Sequence, residues 1–126
     1  LMKEIARRER IERELLIIEA AFNHASDSIL LFERSGRLWR ANETSCRLLG
    51  YTKEEIASIS VFDINQEITP VIWDEMWEQA EDEPGISRVI STHVRKDGTI
   101  IPVEVSRTFF TAGPMTLFCS IAREIR

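Results

Sequence analysis

Apolar residues near the start of the chain fall at Ile11, Leu15, Ile18 and Phe22, spaced four, three and four apart within a run free of Gly and Pro. Around them Lys3, Arg7, Arg8, Arg10 and Arg13 interleave with Glu4, Glu9, Glu12, Glu14 and Glu19. This spacing gathers the apolar set on one stripe of a helix and matches a left-handed coiled-coil seam. It predicts an amphipathic helix over residues 1–21 that pairs with a second copy through Ile11, Leu15, Ile18 and Phe22. Extending the register upstream brings Arg8 and Glu4 onto the seam, so the alternative is a helix packed on its own domain.

Beyond Asn23 to Asp27 the periodicity becomes strand-like. Ser28 to Glu33 is a short apolar strand, Ser35-Gly36 a turn, and Arg37 to Ala41 its hairpin partner. Asn42 is a strong N-cap for Glu43 to Leu49, Gly50 occupies the left-handed C-cap position, and Thr52 with Glu55 spells a capping box. Ser58 to Thr69 is irregular and carries Val61, Phe62, Ile64 and Ile68. Pro70 opens a longer helix with Ile72, Trp73, Met76, Trp77 and Ala80 toward one face. The acidic stretch Glu81-Asp82-Glu83-Pro84-Gly85 ends it. Three strands follow, joined at Asp97-Gly98 and Ala112-Gly113-Pro114. In the second, Ile101, Val103, Val105 and Phe109 share a parity that Arg107 interrupts; in the third, Met115, Leu117, Cys119 and Ile121 share one. The order predicts an α+β fold: a five-stranded antiparallel sheet, short helices on one face, and an N-terminal helix before it.

The length of 126 residues allows about one domain plus an appendage, and 44% hydrophobic residues supply a core. With 16 Lys and Arg against 21 Asp and Glu, the net charge of -5 argues against nucleic acid as a partner. No apolar run approaches the roughly 18 residues of a membrane span, so direct membrane insertion is not expected. Cys46 and Cys119 lack metal-site or disulfide spacing, which points to a reducing, cytoplasmic setting. The charged ends at Leu1 and Arg126 look like those of an excised piece, with residues 22–122 as the domain and 123–126 starting a linker.

Two stretches carry a family resemblance. Ala41-Asn42, Leu48-Leu49-Gly50-Tyr51-Thr52 and Glu54-Glu55-Ile56 are similar to the main signature of the PAS sensory domain family. Arg95-Lys96-Asp97-Gly98-Thr99 with Pro102-Val103-Glu104-Val105 resembles its second signature. The resemblance covers about residues 20 to 122. It implies a glove-shaped sheet whose concave face and covering helices enclose a small-molecule or cofactor site. It also implies a place in a larger, bacterial signalling protein, upstream of an effector such as a histidine kinase of a two-component system or a nucleotide cyclase. The chain departs from the family where a terminal Asp-Ile-Thr and acidic residue are usual: here Ser120-Ile121-Ala122-Arg123 stands.

Candidate lining for such a cavity is Leu31, Phe62, Trp73, Met76, Trp77, Val103, Val105, Arg107 and Cys119, with Asn42, Ser45 and Thr92 as further buried polar residues. Core packing is the plainer role for Trp73 and Trp77. An inward Arg107 needs a partner and could meet a carboxylate ligand, whereas a bulge or strand end would return it to water. Haem-binding relatives take an axial histidine from the longer helix, and Pro70 to Glu81 has none. His24 and His93 read as surface or structural residues. Flavin-bonding relatives need a reactive cysteine beyond the Gly50-Tyr51 position, whereas Cys46 precedes it, and Cys119 has no activating cation nearby. The cofactor, if one binds, stays unidentified. Contiguous carboxylates at Glu81 to Glu83 lack calcium-loop spacing, so no metal is expected. No nucleophile, phosphate-loop or zinc motif appears, and a small α+β enzyme is the weakest of three readings. The others are a ligand-binding sensor and dimerisation module and a ligand-free interaction or spacer module.

Overall fold

In the computed structural model, which describes residues 1–126, the charged N-terminal segment is helix α1 (Met2–His24). It runs past the expected end at residue 21, and none of its residues is buried. Leu15, Leu16, Ile17 and Ile18 are 59%, 66%, 68% and 64% exposed, so α1 does not lie on its own domain. Its C-terminal end is moored: Glu19 pairs with Arg40 at 3.2 Å, and the Arg40 guanidinium lies 5.9 Å from the Phe22 ring centre.

The strands are β1 (Ser28–Phe32), β2 (Leu38–Ala41), β3 (Ile86–Val94), β4 (Ile100–Ala112) and β5 (Met115–Glu124). They form one antiparallel sheet in the order β2-β1-β5-β4-β3. The last strand in sequence is therefore central, and it continues past Ala122 to Glu124. Central placement explains why Leu117, Phe118, Cys119 and Ser120 are all buried, where alternation alone would bury every second residue.

Between β2 and β3 lie α2 (Glu43–Leu49), α3 (Lys53–Ile56), α4 (Val61–Ile64) and α5 (Pro70–Asp82). Asn42 caps α2 through Ser45 N, Gly50 ends it at φ 80°, and Thr52 and Glu55 form the capping box of α3. The one-turn α4 lies inside the stretch expected to be irregular. Ser60 N donates to Asp63 Oδ2 at 2.8 Å, a Ser-x-x-Asp cap with too short a helix behind it to show periodicity. Thr69 Oγ1 accepts from Ile72 N, with Pro70 in the first turn of α5. Gly36 at φ 92° turns the β1–β2 hairpin, and a Cβ there would meet the Phe62 ring at 2.9 Å.

The two signature stretches meet in space. Lys96 N donates to Leu49 O at 2.8 Å, and Lys96 Nζ pairs with Glu55. The hairpin turn itself differs from a turn with two positive φ values: Gly98 alone has positive φ, 88°, and Asp97 Oδ1 accepts from Thr99 N at 2.9 Å. This is an Asx-stabilised turn followed by a left-handed glycine.

Candidate functional site

Strand alternation decides which side chains face the helices. Phe32 lies opposite Phe118 and Phe109 opposite Phe118, and these rings pack at 6.1 and 4.9 Å with Trp73 edge-on to Phe118 at 5.2 Å. The inner face thus carries Leu30 and Phe32 on β1, Val103, Val105, Arg107 and Phe109 on β4, and Phe118, Ser120 and Ala122 on β5. On β3 the register sets Ser87, Val89, Ser91 and His93 on the same face.

Two of the openings on this face border Arg107. One is a cleft of 490 Å³ between the C-terminal half of α5 and the start of β3, walled by Met76, Ala80, Glu83, Val89, Arg107 and Phe109 among others. The second is an interior hollow of 10 Å³, about one water in size, whose polar lining is Asn65, His93, Arg107 and Ser120. The enclosed space that the resemblance implies is, in this structure, only this small hollow. Trp73 and its aromatic neighbours fill the interior, Trp73 Nε1 donates to Arg34 O at 2.7 Å, and the larger volume beside Arg107 is the open cleft at one end.

Of the nine candidate lining residues, Met76 and Arg107 wall the cleft. Trp77 faces a separate shallow groove with Arg34, Phe109 and Phe110. Trp73 and Phe62 belong to the core cluster, and Val103 and Val105 to a second cluster with Ile101 and Ala122. Leu31 and Cys119 are corrected outright: they lie opposite each other in register, one step from Phe32 and Phe118, on the sheet's outer face. Thr92 is corrected for the same reason, since its inward neighbours are Ser91 and His93.

Arg107 sits mid-strand, opposite Ser120 on one side and Ser87 on the other, so no bulge returns it to water. No carboxylate lies within 4.0 Å of it. Burial draws its pKa below the usual arginine value, opposed by the exposed Glu67. His93 is only 4% exposed, its Nδ1 has no hydrogen-bond partner, and burial first, then Arg107, lowers its pKa to about 4. It is a neutral imidazole at physiological pH. Ser120 Oγ is likewise buried without a partner, while Asn65 Nδ2 donates to Ser91 Oγ at 3.1 Å.

His93, Ser120 and Asn65 were missed by sequence reasoning, yet a signal existed for two of them. The Gly113-Pro114 turn sets Ala112 opposite Met115, and counting back places Phe118 opposite Phe109 and Ser120 opposite Arg107. The same count from the Asp97-Gly98 turn sets His93 opposite Ile101.

Asn42 and Ser45 are fully buried but belong to a structural knot. Asn42 Oδ1 accepts from Ile29 N, Ser45 N and Ser45 Oγ, while its Nδ2 donates to Phe22 O and Asp27 O, all within 2.8 to 3.0 Å. One side chain thus ties the end of α1, the first strand and the start of α2. Of the seam residues, Ile11, Leu15 and Ile18 are 41%, 59% and 64% exposed, whereas Phe22 is half-buried under Arg40. No three His, Cys, Asp or Glu side chains converge, and no helix is long and apolar enough to cross a membrane.

A five-stranded antiparallel sheet with its helices on one face and an interior polar patch defines a small α+β module. The chain belongs to the PAS domain family, whose model matches residues 26–126. Solved structures of similar fold include the PAS domain of an HTR-like protein from Haloarcula marismortui, at 23% identity and TM-score 0.81, covering 95% of this chain and 98% of that one. A domain of the sensory box sensor histidine kinase/response regulator from Geobacter sulfurreducens matches at 21% identity and TM-score 0.70, covering 90% and 96%. The PAS domain of nitrogen regulation protein NR(II) from Vibrio parahaemolyticus matches at 17% and 0.69, covering 85% and 96%. No curated protein matches the chain.

Proposed function

We propose that this chain is the sensor and dimerisation module of a larger signalling protein, itself non-catalytic, with α1 as the element that couples two copies and passes the state onward. The observation that carries this reading is the unburied apolar run Leu15 to Ile18 on a helix knotted to the sheet through Asn42. A small ligand in the cleft, or a partner, would favour one arrangement of sheet and helix over another and so bias the helix pair. An effector such as a histidine kinase suits the company its structural relatives keep. A cytoplasmic setting suits the two free thiols, Cys46 and Cys119. The chain is expected to self-associate in sedimentation experiments, and Leu15→Glu or Ile18→Glu to dissociate it by placing charge in the seam. An unchanged association state in both variants would refute the dimer role.

One observation favours a second reading, a ligand-free interaction module: aromatic packing leaves an enclosed hollow of only 10 Å³. Native mass spectrometry of freshly purified protein, with thermal melts across a metabolite panel, separates the two. A copurifying molecule or a raised midpoint supports the sensor; neither supports the spacer.

A further inference from the structure

The sensor reading leaves open what chemistry the cleft recognises, and the side chains at its inner end answer that. Arg107 is a half-buried cation on the inner face of β4 with no carboxylate within 4.0 Å. Beside it the hollow holds two buried polar atoms without partners, His93 Nδ1 and Ser120 Oγ, in residues each 4% exposed. Buried groups of this kind are ordinarily paired, and leaving one unpaired is costly, more so for a charge. Arg107, His93 and Ser120 therefore bring three potential donors to one place, while Asn65, the remaining polar residue of the hollow, is engaged with Ser91 and Glu67. On the other side of Arg107 the 490 Å³ cleft offers Met76, Ala80, Val89 and Phe109 as apolar wall.

We propose that the cleft binds a small monocarboxylic acid with an apolar body, its carboxylate held by Arg107 with one oxygen in the hollow beside His93 and Ser120, its body against Met76, Val89 and Phe109. This deepens the sensor reading and rests on it. The hollow is the size of one oxygen-bearing group, which suits a planar carboxylate presenting a single oxygen better than a tetrahedral phosphate presenting several. A guanidinium fork matches a carboxylate in two parallel bonds. Neutral His93 donates or accepts according to its tautomer, and Ser120 turns its hydroxyl to suit. Glu83 on the cleft rim and Glu67 near Arg107 disfavour a second carboxylate, so a monoacid fits better than a diacid.

The test is a chemical-shift titration of the ¹⁵N-labelled full chain with hexanoate, decanoate and phenylacetate, beside acetate and phosphate as head-only probes and 1-hexanol as the body-only probe. The expected result is saturable binding of at least one apolar acid, with shifts centred on Arg107, Val89 and Phe109 and little response to acetate, phosphate or hexanol. Arg107→Met should weaken that binding about tenfold or more, the loss of one charged contact. His93→Gln, which keeps a polar side chain, serves as the second variant should Arg107→Met fail to fold, and should weaken binding less. Equal binding of hexanol, or undiminished binding in Arg107→Met, overturns the acid assignment. No acid binding while a neutral molecule copurifies overturns it and leaves the sensor reading standing. No binding of any probe and nothing copurifying removes both.

Discussion

His93 and Asn42 show opposite uses of buried polarity. His93 is buried with Nδ1 unpaired and its pKa lowered to about 4 from 6.5, so between those values the unfolded chain binds the extra proton. Stability is full above pH 6.5, falls as pH drops toward 4, and levels off below, with a span on the order of 3 kcal/mol. Denaturant melts at pH 7 and pH 4.5 should show this loss in the native chain and a much smaller one in His93→Gln; equal slopes would contradict the buried neutral imidazole. Asn42 has every polar atom engaged, so Asn42→Ala removes a helix cap and strands Phe22 O, Asp27 O and Ile29 N. The expected cost is on the order of 3 kcal/mol by urea unfolding, and a cost under about 0.5 kcal/mol would deny the knot. From sequence, Asn42 was legible as a cap because capping is local. Its bonds to Phe22 and Asp27 were not, because they depend on where a distant helix end is docked.

At the scale of elements, β5 decides what could be read in advance. Helix caps, hairpin turns and the α+β order follow from near-neighbour chemistry, and Pro70, Gly50 and Thr52 act where their residue types suggest. A strand buried on both faces carries no parity signal, so the sequence offers Cys119 as a cavity residue on the parity of Leu117 and Ile121, while Phe118, Ser120 and Ala122 hold the inner face. Arg107 was legible as an anomaly, whereas its neighbours Ser120 and His93, on other strands, emerge only by counting register from the two turns. A pair of substitutions checks the face assignment by chemical denaturation. Phe118→Ala, amid Phe32, Trp73 and Phe109, should cost about 4 kcal/mol, whereas Ile121→Ala, 36% exposed on the outer face, should cost under about 1 kcal/mol. Comparable costs would reverse the faces.

For the whole molecule, two features are left without partners: the cleft ending at Arg107 and the apolar run of α1. Asn42 lies between them, bonded to the end of α1 and to β1, whose Leu30 and Phe32 line the same hollow as Arg107. Under the proposed function, a change at the inner face would reach the helix through these bonds, and the exposed apolar residues of α1 would carry it to a second copy. An unpaired α1 of 23 residues with no buried side chain would be held only at its C-terminal end, through Glu19 and Phe22, and would have its own backbone bonds alone to resist fraying upstream. Amide hydrogen exchange of α1 in the full chain, followed by mass spectrometry, puts the pairing claim to its most direct trial. The account predicts protection over residues 8–22 that rises with protein concentration and collapses in Ile18→Glu while the amides of β4 and β5 stay protected. Fast exchange along α1 at every concentration, or protection unaltered by Ile18→Glu, would contradict it.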